Sequence, residues 1–466
     1  MAVHYVRNIA ETSGYDVVVC GGGPAGTAAA RGARRDGLSV LLVEGQGQLG
    51  GMGTSGLVSH WLGGRLGDCR TWVVGGFFKE LCLRASGEGI ALIPDAPAEE
   101  DFTPHGWSPG LAHGIPFDPF AMAQLLDTVL ADAGVDVLLQ TQFVDVRKEG
   151  NRITHVIVYN KSGLQAIPCR VVVDATGDAD VAARSGCKLV VGRKEDGLMT
   201  PATLEFHVSD VDQEALADYI AQENTPRFRK LIAELRERGI WRFSYEIFIS
   251  VQLNEKGVMM INTPRICGLD GTHGLSLSGG YATGRQEIAD LLRIMRTHFP
   301  GFRGARIKAV APLMGVRETR RIVGDYTLRV DDLVDAVAFP DTIALSAYGW
   351  DLPDPNRPSH QPMHGQPKSP VTPIPYRIMV PRPVENLICP GRAVSVERDV
   401  LGPIRVMAPC MAMGEAAGLA ACQAVRRGVS FREVETQRLR AALRECGAIV
   451  NMTHRNGANQ GIQPTS

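Results

Sequence analysis

The run "GVRETRR" gathers Arg317, Glu318, Arg320 and Arg321 in one short stretch. A guanidinium presents a planar fork of donors that meets a carboxylate or oxyanion with two bonds at once. The same residues could instead form an Arg–Glu network bracing two parts of a fold. His60, in "GLVSHWLGG", could exchange a proton near neutral pH, although a lone histidine is more often structural. Tyr348, His360 and His364 lie in or beside a Pro-rich stretch that reads either as a lid or as an irregular surface loop. Glu205 and His207 alternate in "TLEFHV" and so share one strand face; two donors make a weak metal signature, and no metal is expected. Cys20 and Cys410 invite a redox-disulfide reading, but neither is assigned chemistry.

A second group of residues points to a different chemistry. From Tyr15 the chain reads "YDVVVCGGGPAGTAAARGARRDGLSVLLVEGQGQLGGMGTSG". Gly21, Gly23 and Gly26 fit GxGxxG, with Pro24 and Ala25 opening the segment behind them. Gly21 permits a tight turn, Gly23 lets the backbone approach a pyrophosphate, and Gly26 lets a helix pack closely on a strand. Amides at the helix start then face the anion. Glu44 ends the next apolar run and can accept from a ribose hydroxyl. This fingerprint suits NAD and FAD alike.

These residues need particular elements to position them. "DVVVC" and "SVLLVE" are continuous apolar runs, as in strands covered on both faces of a parallel sheet. "PAGTAAARGARRD" is a helix, with Gly37 as its C-terminal cap. Residues 50–115 are turn-rich. The segment from "FDPFAMAQLLDTVLADAG" gives a helix followed by alternating strands, and "CRVVVDATGDADVAARSG" returns to the buried-strand-plus-glycine style. Further on, "GGYATGRQ" approaches a P-loop, but Arg285 and Gln286 stand where Lys and Ser or Thr would hold phosphate and magnesium. It reads as a turn before the helix "GRQEIADLLRIMRTHF". "WDLPDPNRPSHQPMHGQPKSPVTPIPYR" reads as loop, and a small-residue helix is expected around 409–426.

Taken in order, "YDVVVCGGGPAG", "LGGMGT", "VVVDATGDADVA", "GVRETRRIVGDY", "NLICPGRAVS" and "IRVMAPCMAMGEAAGLAA" resemble the FAD-dependent oxidoreductases related to glutathione reductase and fumarate reductase. The resemblance spans about Tyr15 to Gln423. It implies an α/β fold. The FAD-binding domain would be Rossmann-like, of glutathione-reductase type, assembled from discontinuous segments, with an inserted α+β substrate domain. The FAD-binding domain would take residues 1–60, 116–200 and 385–430, the substrate or cap domain 61–115 and 201–384, and a C-terminal helix and polar tail 431–466. It also implies site residues. Gly50, Gly51 and Thr54 would lie beside the pyrophosphate and flavin, and Val144 would offer backbone groups to the adenine. Ala175, Thr176, Gly177 and Asp178 would form a second FAD turn. Gly391 and Arg392 would lead toward the flavin. Met413 and Gly414 would lie near the start of a helix aimed at the pyrimidine end of the ring, where a positive helix end stabilises the charge of a reduced flavin. Arg317 or Arg320 would face the active cavity, with His60 near the flavin. The CxxxxC redox pair of glutathione reductase is missing, as is a second nucleotide fingerprint in 190–384. Electrons would therefore pass directly between substrate and flavin, or a separate acceptor or oxygen would complete the cycle.

Composition narrows the partners. Lys and Arg total 49 against 50 Asp and Glu, which gives no electrostatic footprint for nucleic acid or an anionic membrane. No stretch is long and apolar enough to span a bilayer, and the N-terminus has no signal-peptide core. The ten cysteines include no CxxC pair, so neither iron–sulfur nor structural zinc is supported, and reduced thiols in a cytoplasm are expected. The leading function is hydride transfer between flavin N5 and a small organic substrate. A monooxygenase or halogenase needing an external reductant is the first alternative, and a non-catalytic or RNA-linked flavoprotein the second. Substrate identity, reaction direction, covalent attachment of FAD and homo-oligomerisation stay open.

Overall fold

The computed structural model describes residues 4, 6–95, 113–223, 227–361 and 364–451. Its largest sheet is centred on the strand Tyr15–Cys20. Val40–Val43 pairs with it in parallel on one side and the end of Gly163–Asp174 on the other. Asp136–Leu138 and Leu387–Ile388 extend the parallel run outward.

The apolar strands are continuous because both faces are covered. Val17 and Val19 point into a core shared with the helices Pro24–Arg34 and Met407–Arg427. Val18 and Cys20 point into a second core beneath the antiparallel strands Gln142–Glu149 and Arg152–Asn160. The long strand Gly163–Asp174 serves both layers: its first half pairs with Arg152–Asn160 and its second with Tyr15–Cys20.

A separate four-stranded antiparallel sheet runs Ser250–Gln252, Met259–Ile261, Phe206–Ser209, Arg306–Val310. One of its faces carries Leu204, Phe206 and Val208 into an aromatic core with Phe228, Trp241, Phe248 and Phe299. The opposite face carries Thr203, Glu205 and His207.

Three sequence expectations change. "GGYATGRQ" is not a turn; it lies within the helix Gly274–His298. Its glycines serve close packing, since a Cβ on Gly280 would fall 2.3 Å from Leu269 Cδ1 and one on Gly284 2.8 Å from Leu204 Cβ. The Pro-rich stretch contains a strand, Thr372–Pro375, paired with Thr342–Ser346. The cores also cut the chain differently from the expected boundaries. Trp61, Phe77, Phe78, Ile343, Ile374 and Ile378 pack with the helices of the large sheet rather than with the aromatic core, so 61–95 and 328–384 do not pack as a cap. The helix Thr436–Glu445 joins the same core through Leu439 and Leu443. Residues 96–112, 362–363 and the tail from 452 lie outside the described residues.

Candidate functional site

Each glycine of the fingerprint has its own physical reason. Gly21 has φ +103°, and a Cβ there would sit 2.4 Å from the Ala175 carbonyl oxygen. Gly26 supports the close packing, because a Cβ would fall 1.8 Å from Gly21 O. Gly23 differs: among the described residues the only atom near its missing Cβ is Gly51 Cα at 3.9 Å, so no described atom crowds it. Gly23 is also the N-cap of Pro24–Arg34, which has no side-chain cap and no acid in its first turn. An open approach to uncapped amides at a helix start fits a diphosphate.

The surrounding loops close on this turn. Gly50 N donates to Gly22 O (2.8 Å), and a Cβ on Gly51 would lie 2.8 Å from Gly23 Cα, so the two glycine loops touch backbone to backbone. The Thr54 hydroxyl donates to Leu49 O. The Glu44 carboxylate accepts from the amides of Gly22 and Gln46, both at 2.6 Å, which holds it at the turn. Val144 is exposed and skipped by the strand ladder at a register shift between Phe143 and Asp145, leaving its backbone out of the pairing.

The second turn is built on buried Asp174. Its carboxyl accepts from Thr176 N and Oγ1 and from Ala182 N, and burial pushes it up to about 6. Asp178 accepts from Arg392 Nη2 (2.6 Å) and Thr319 Oγ1 (2.6 Å). Gly177, at φ +79°, leaves room for the Arg392 guanidinium. Gly391, also left-handed, sits beside Cys410.

Met413 and Gly414 need correction. The helix begins at Met407, so these residues lie well inside it. A Cβ on Gly414 would sit 2.1 Å from Ala25 O, and one on Gly418 2.3 Å from Ala29 O. The small residues therefore let this helix lie directly on the fingerprint helix. The end facing the glycine loop is Met407, whose Sδ is 3.1 Å from a Cβ built on Gly53. That end has neither a side-chain cap nor an acid in its first turn.

The arginine run divides. Arg320 donates to Asp178 O (3.1 Å) and Asp180 (2.8 Å), so it braces the second turn. Buried Glu318 accepts from Thr200 N, Arg321 and Arg398, the bracing network foreseen as the alternative. Arg317 goes elsewhere. It donates to Pro201 O (2.8 Å) and Asn262 Oδ1 (3.0 Å). Burial, with Arg265 and Arg405 nearby, lowers its guanidinium to about 9.

Arg317, Tyr348 and Asp351 are each partly exposed, the Asp351 side chain to 34%, so they border a partly open space. The Tyr348 hydroxyl donates to Asp351 (3.0 Å), and Arg405 donates to the same carboxylate (3.0 Å). Burial acts to raise Asp351, but Arg405 and Arg317 outweigh it and hold the carboxyl low. The glycine loop borders the sheet that carries Glu205: His207 Nε2 contacts Leu57 O (2.9 Å), and Leu313 N donates to Ser55 O (3.1 Å).

The other candidates have partners of their own. His60 is buried on a short strand paired with Pro116 and packs against Gly114. His364 pairs with Asp399 (3.0 Å), and the His360 carbonyl closes a turn onto Asp354 N. Cys20 and Cys410 are free and buried, and burial pushes the Cys410 thiol up to about 12. Sequence reading missed Arg265, Asn262, Asp351 and Arg405. Arg405 lay within a quoted motif, "IRVMAP", directly before the helix, and Asp351 stood near the start of the quoted Pro-rich stretch without being singled out.

A model of the FAD dependent oxidoreductase family matches residues 16–443. The chain belongs to this family. FAD is thus its cofactor. Among curated proteins it is similar to a thiamine thiazole synthase of Aeropyrum pernix, 33% identical over 181 residues that make up 36% of this chain and 57% of that protein. It is also similar to a digeranylgeranylglycerophospholipid reductase of Picrophilus torridus, 26% identical over 43% of this chain and 48% of that protein. The chain thus spans about half the length of the curated relatives it matches. Among solved structures it resembles a geranylgeranyl bacteriochlorophyll reductase-like protein of Thermoplasma acidophilum at 14% identity. That likeness has a TM-score of 0.49 and covers 93% of this chain and 84% of that one. Among the described residues of this oxidoreductase, no helix is long and apolar enough to cross a membrane.

Proposed function

We propose that this oxidoreductase is a dehydrogenase or reductase that moves a hydride between flavin N5 and a small organic substrate held in the space lined by Arg317, Tyr348 and Asp351. The observation that carries the reading is the placement of that space. The glycine loop 50–57 meets the sheet face of Glu205 and Met407, Gly63 approaches Tyr348 and Val406, and Arg405, two residues before Met407, holds Asp351. Gly21, Gly23, Gly26 and Glu44 would hold the diphosphate and ribose, and Asp178 with Arg392 the second turn, in a glutathione-reductase-type arrangement. The sheet carrying Phe206–Ser209 would be the substrate unit. FAD supplies the two-electron chemistry; the protein positions the substrate and screens it from water. The uncapped end at Met407, rather than Gly414, would favour negative charge on the reduced ring, a contribution of about 0.3–1 kcal/mol.

The test is anaerobic bleaching of the yellow protein by a panel of alcohols, sugars, acids and alkenes, alongside NADH and NADPH. Direct bleaching by an organic substrate, or reoxidation of the reduced flavin by an alkene, is expected. Arg317→Met should slow the step about tenfold or more and leave bound FAD at one per chain. Bleaching by a nicotinamide alone, followed by a persistent oxygen adduct, would make the protein a monooxygenase or halogenase instead.

A further inference from the structure

A cavity of about 260 Å³ lies beside the start of the helix Thr436–Glu445. None of its lining residues belongs to the glycine turns, to the turn at Asp174–Asp178 or to the group around Arg317, so it shares no wall with the site described above. Four charged side chains line it: Asp325, Asp341, Arg377 and Arg432.

Two of them use each other up. Arg432 Nε donates to both oxygens of the Asp325 carboxylate (2.9 and 3.1 Å), and its Nη2 donates to Pro381 O (3.0 Å). Arg382 Nε adds a further bond to Asp325. The other two stay unfilled. Asp341 is 6% exposed, and its Oδ1 accepts no hydrogen bond among the described residues. Arg377 Nη2 stands 3.6 Å from that oxygen, an ion pair too long for a hydrogen bond. The charge of Arg440 also reaches Asp341, but that guanidinium donates to Thr342 O and Asn451 Oδ1. Arg377 is held by rings instead: its guanidinium lies 4.7 Å from the Tyr326 centroid and 5.6 Å from that of Phe339. Its Nε is a buried donor with no acceptor among the described residues. A buried carboxylate oxygen and a buried guanidinium donor therefore stand unfilled beside one cavity. Enclosing such groups is costly unless a ligand completes them.

We propose that this cavity binds a small aliphatic α-amino acid, its ammonium on Asp341 and its carboxylate on Arg377. The proposal does not rest on the flavin-site reading. Each protein group would gain a charge-assisted bond of the sign it lacks, and the two rings hold the Arg377 fork ready to receive it. The spacing selects the ligand. The facing protein atoms are 3.6 Å apart, so the ligand's two charges must sit on neighbouring atoms rather than at the ends of a chain. Val380 and Val434 on the same wall suit an aliphatic side chain. The volume lies below the roughly 300–1,000 Å³ of drug-sized sites, so the occupant is small.

Calorimetric titration of the FAD-loaded full chain with L-alanine and L-valine tests this, against acetate, ethylamine and 4-aminobutanoate. At least one of the two amino acids is expected to bind saturably at one per chain, and the other three compounds at least about tenfold more weakly. Asp341→Asn and Arg377→Met should each weaken amino-acid binding about tenfold or more, about 1.4 kcal/mol. Thr436→Trp, at a half-buried lining position, keeps the charged pair but fills the space; it should abolish binding, and it covers the case in which the Asp341 variant fails to fold. Arg147→Met, on an exposed strand, should leave binding unchanged. The proposal is overturned if neither amino acid binds, if acetate, ethylamine or 4-aminobutanoate binds as tightly, or if Arg377→Met and Thr436→Trp keep the parental Kd. Binding that survives in those two variants but is lost in Arg317→Met would place the amino acid in the other site and overturn the proposal as well.

Discussion

A methyl group at Gly23 should cost cofactor binding and little else, whereas one at Gly414 should cost the fold. At Gly23 the new Cβ meets nothing closer than 3.9 Å, and the backbone (φ −73°, ψ −169°) is one that alanine adopts freely. Stiffening the unfolded chain gains about 0.4–1 kcal/mol, and losing a glycine N-cap costs about as much, so stability without FAD should barely change. The methyl would instead stand in the diphosphate's approach to the helix amides. Losing two charge-assisted hydrogen bonds at about 1.5 kcal/mol each lowers affinity by about 3 kcal/mol, roughly a hundredfold. At Gly414 the Cβ would be 2.1 Å from Ala25 O, a backbone atom that cannot rotate aside. Overpacking of about 3 kcal/mol, less about 1 kcal/mol of gained helix propensity, leaves about 2 kcal/mol of destabilisation. Urea unfolding of the FAD-free proteins and FAD titration by fluorescence quenching read the two quantities separately. The reasoning is refuted if Gly23→Ala binds FAD like the parent, or if it unfolds as early as Gly414→Ala.

Two further outcomes follow from the geometry. Arg320→Met should weaken FAD binding about tenfold by loosening the turn at Asp178 and Asp180; unchanged FAD affinity by titration would show that this brace is idle. Glu415, buried in the helix Met407–Arg427, accepts from Phe77 N and is pushed by burial from 4.5 to about 7. The folded protein then holds a proton that the unfolded chain releases near 4.5, so stability should fall as pH rises from 4.5 to 7 and level off above. Glu415→Gln should remove its share of that slope and exceed the parent above pH 7 by up to about 3 kcal/mol, leaving the slopes of Glu205, Glu287 and Asp174. Equal pH profiles from urea midpoints would contradict this.

The first glycine turn was legible because its causes are local. A strand, a φ beyond an L-residue's range and a close helix contact all fall between Tyr15 and Arg34, so the order of residue types records them. Glu44 was legible for the same reason, one strand further on. Arg317 and Arg320 were not separable: they lie three positions apart on one segment, and only the neighbours supplied by other segments decide that one meets Asp178 while the other meets Asn262. Gly414 was misassigned because a glycine that approaches a ring and a glycine that approaches another helix look alike until Ala25 is placed beneath it.

By itself, then, the amino-acid order determined the dinucleotide turn and the buried parallel strands, since each depends on residues close in the chain, while FAD rather than NAD was legible only from the order of motifs spread from about Tyr15 to Gln423. Only the tertiary structure decided what faces what. It brought Glu205, Arg265, Arg317, Asp351 and Arg405 together from five stretches of chain. There, burial rather than residue type sets which groups are charged, and charge balance is a property of the assembled cluster rather than of any segment that contributes to it.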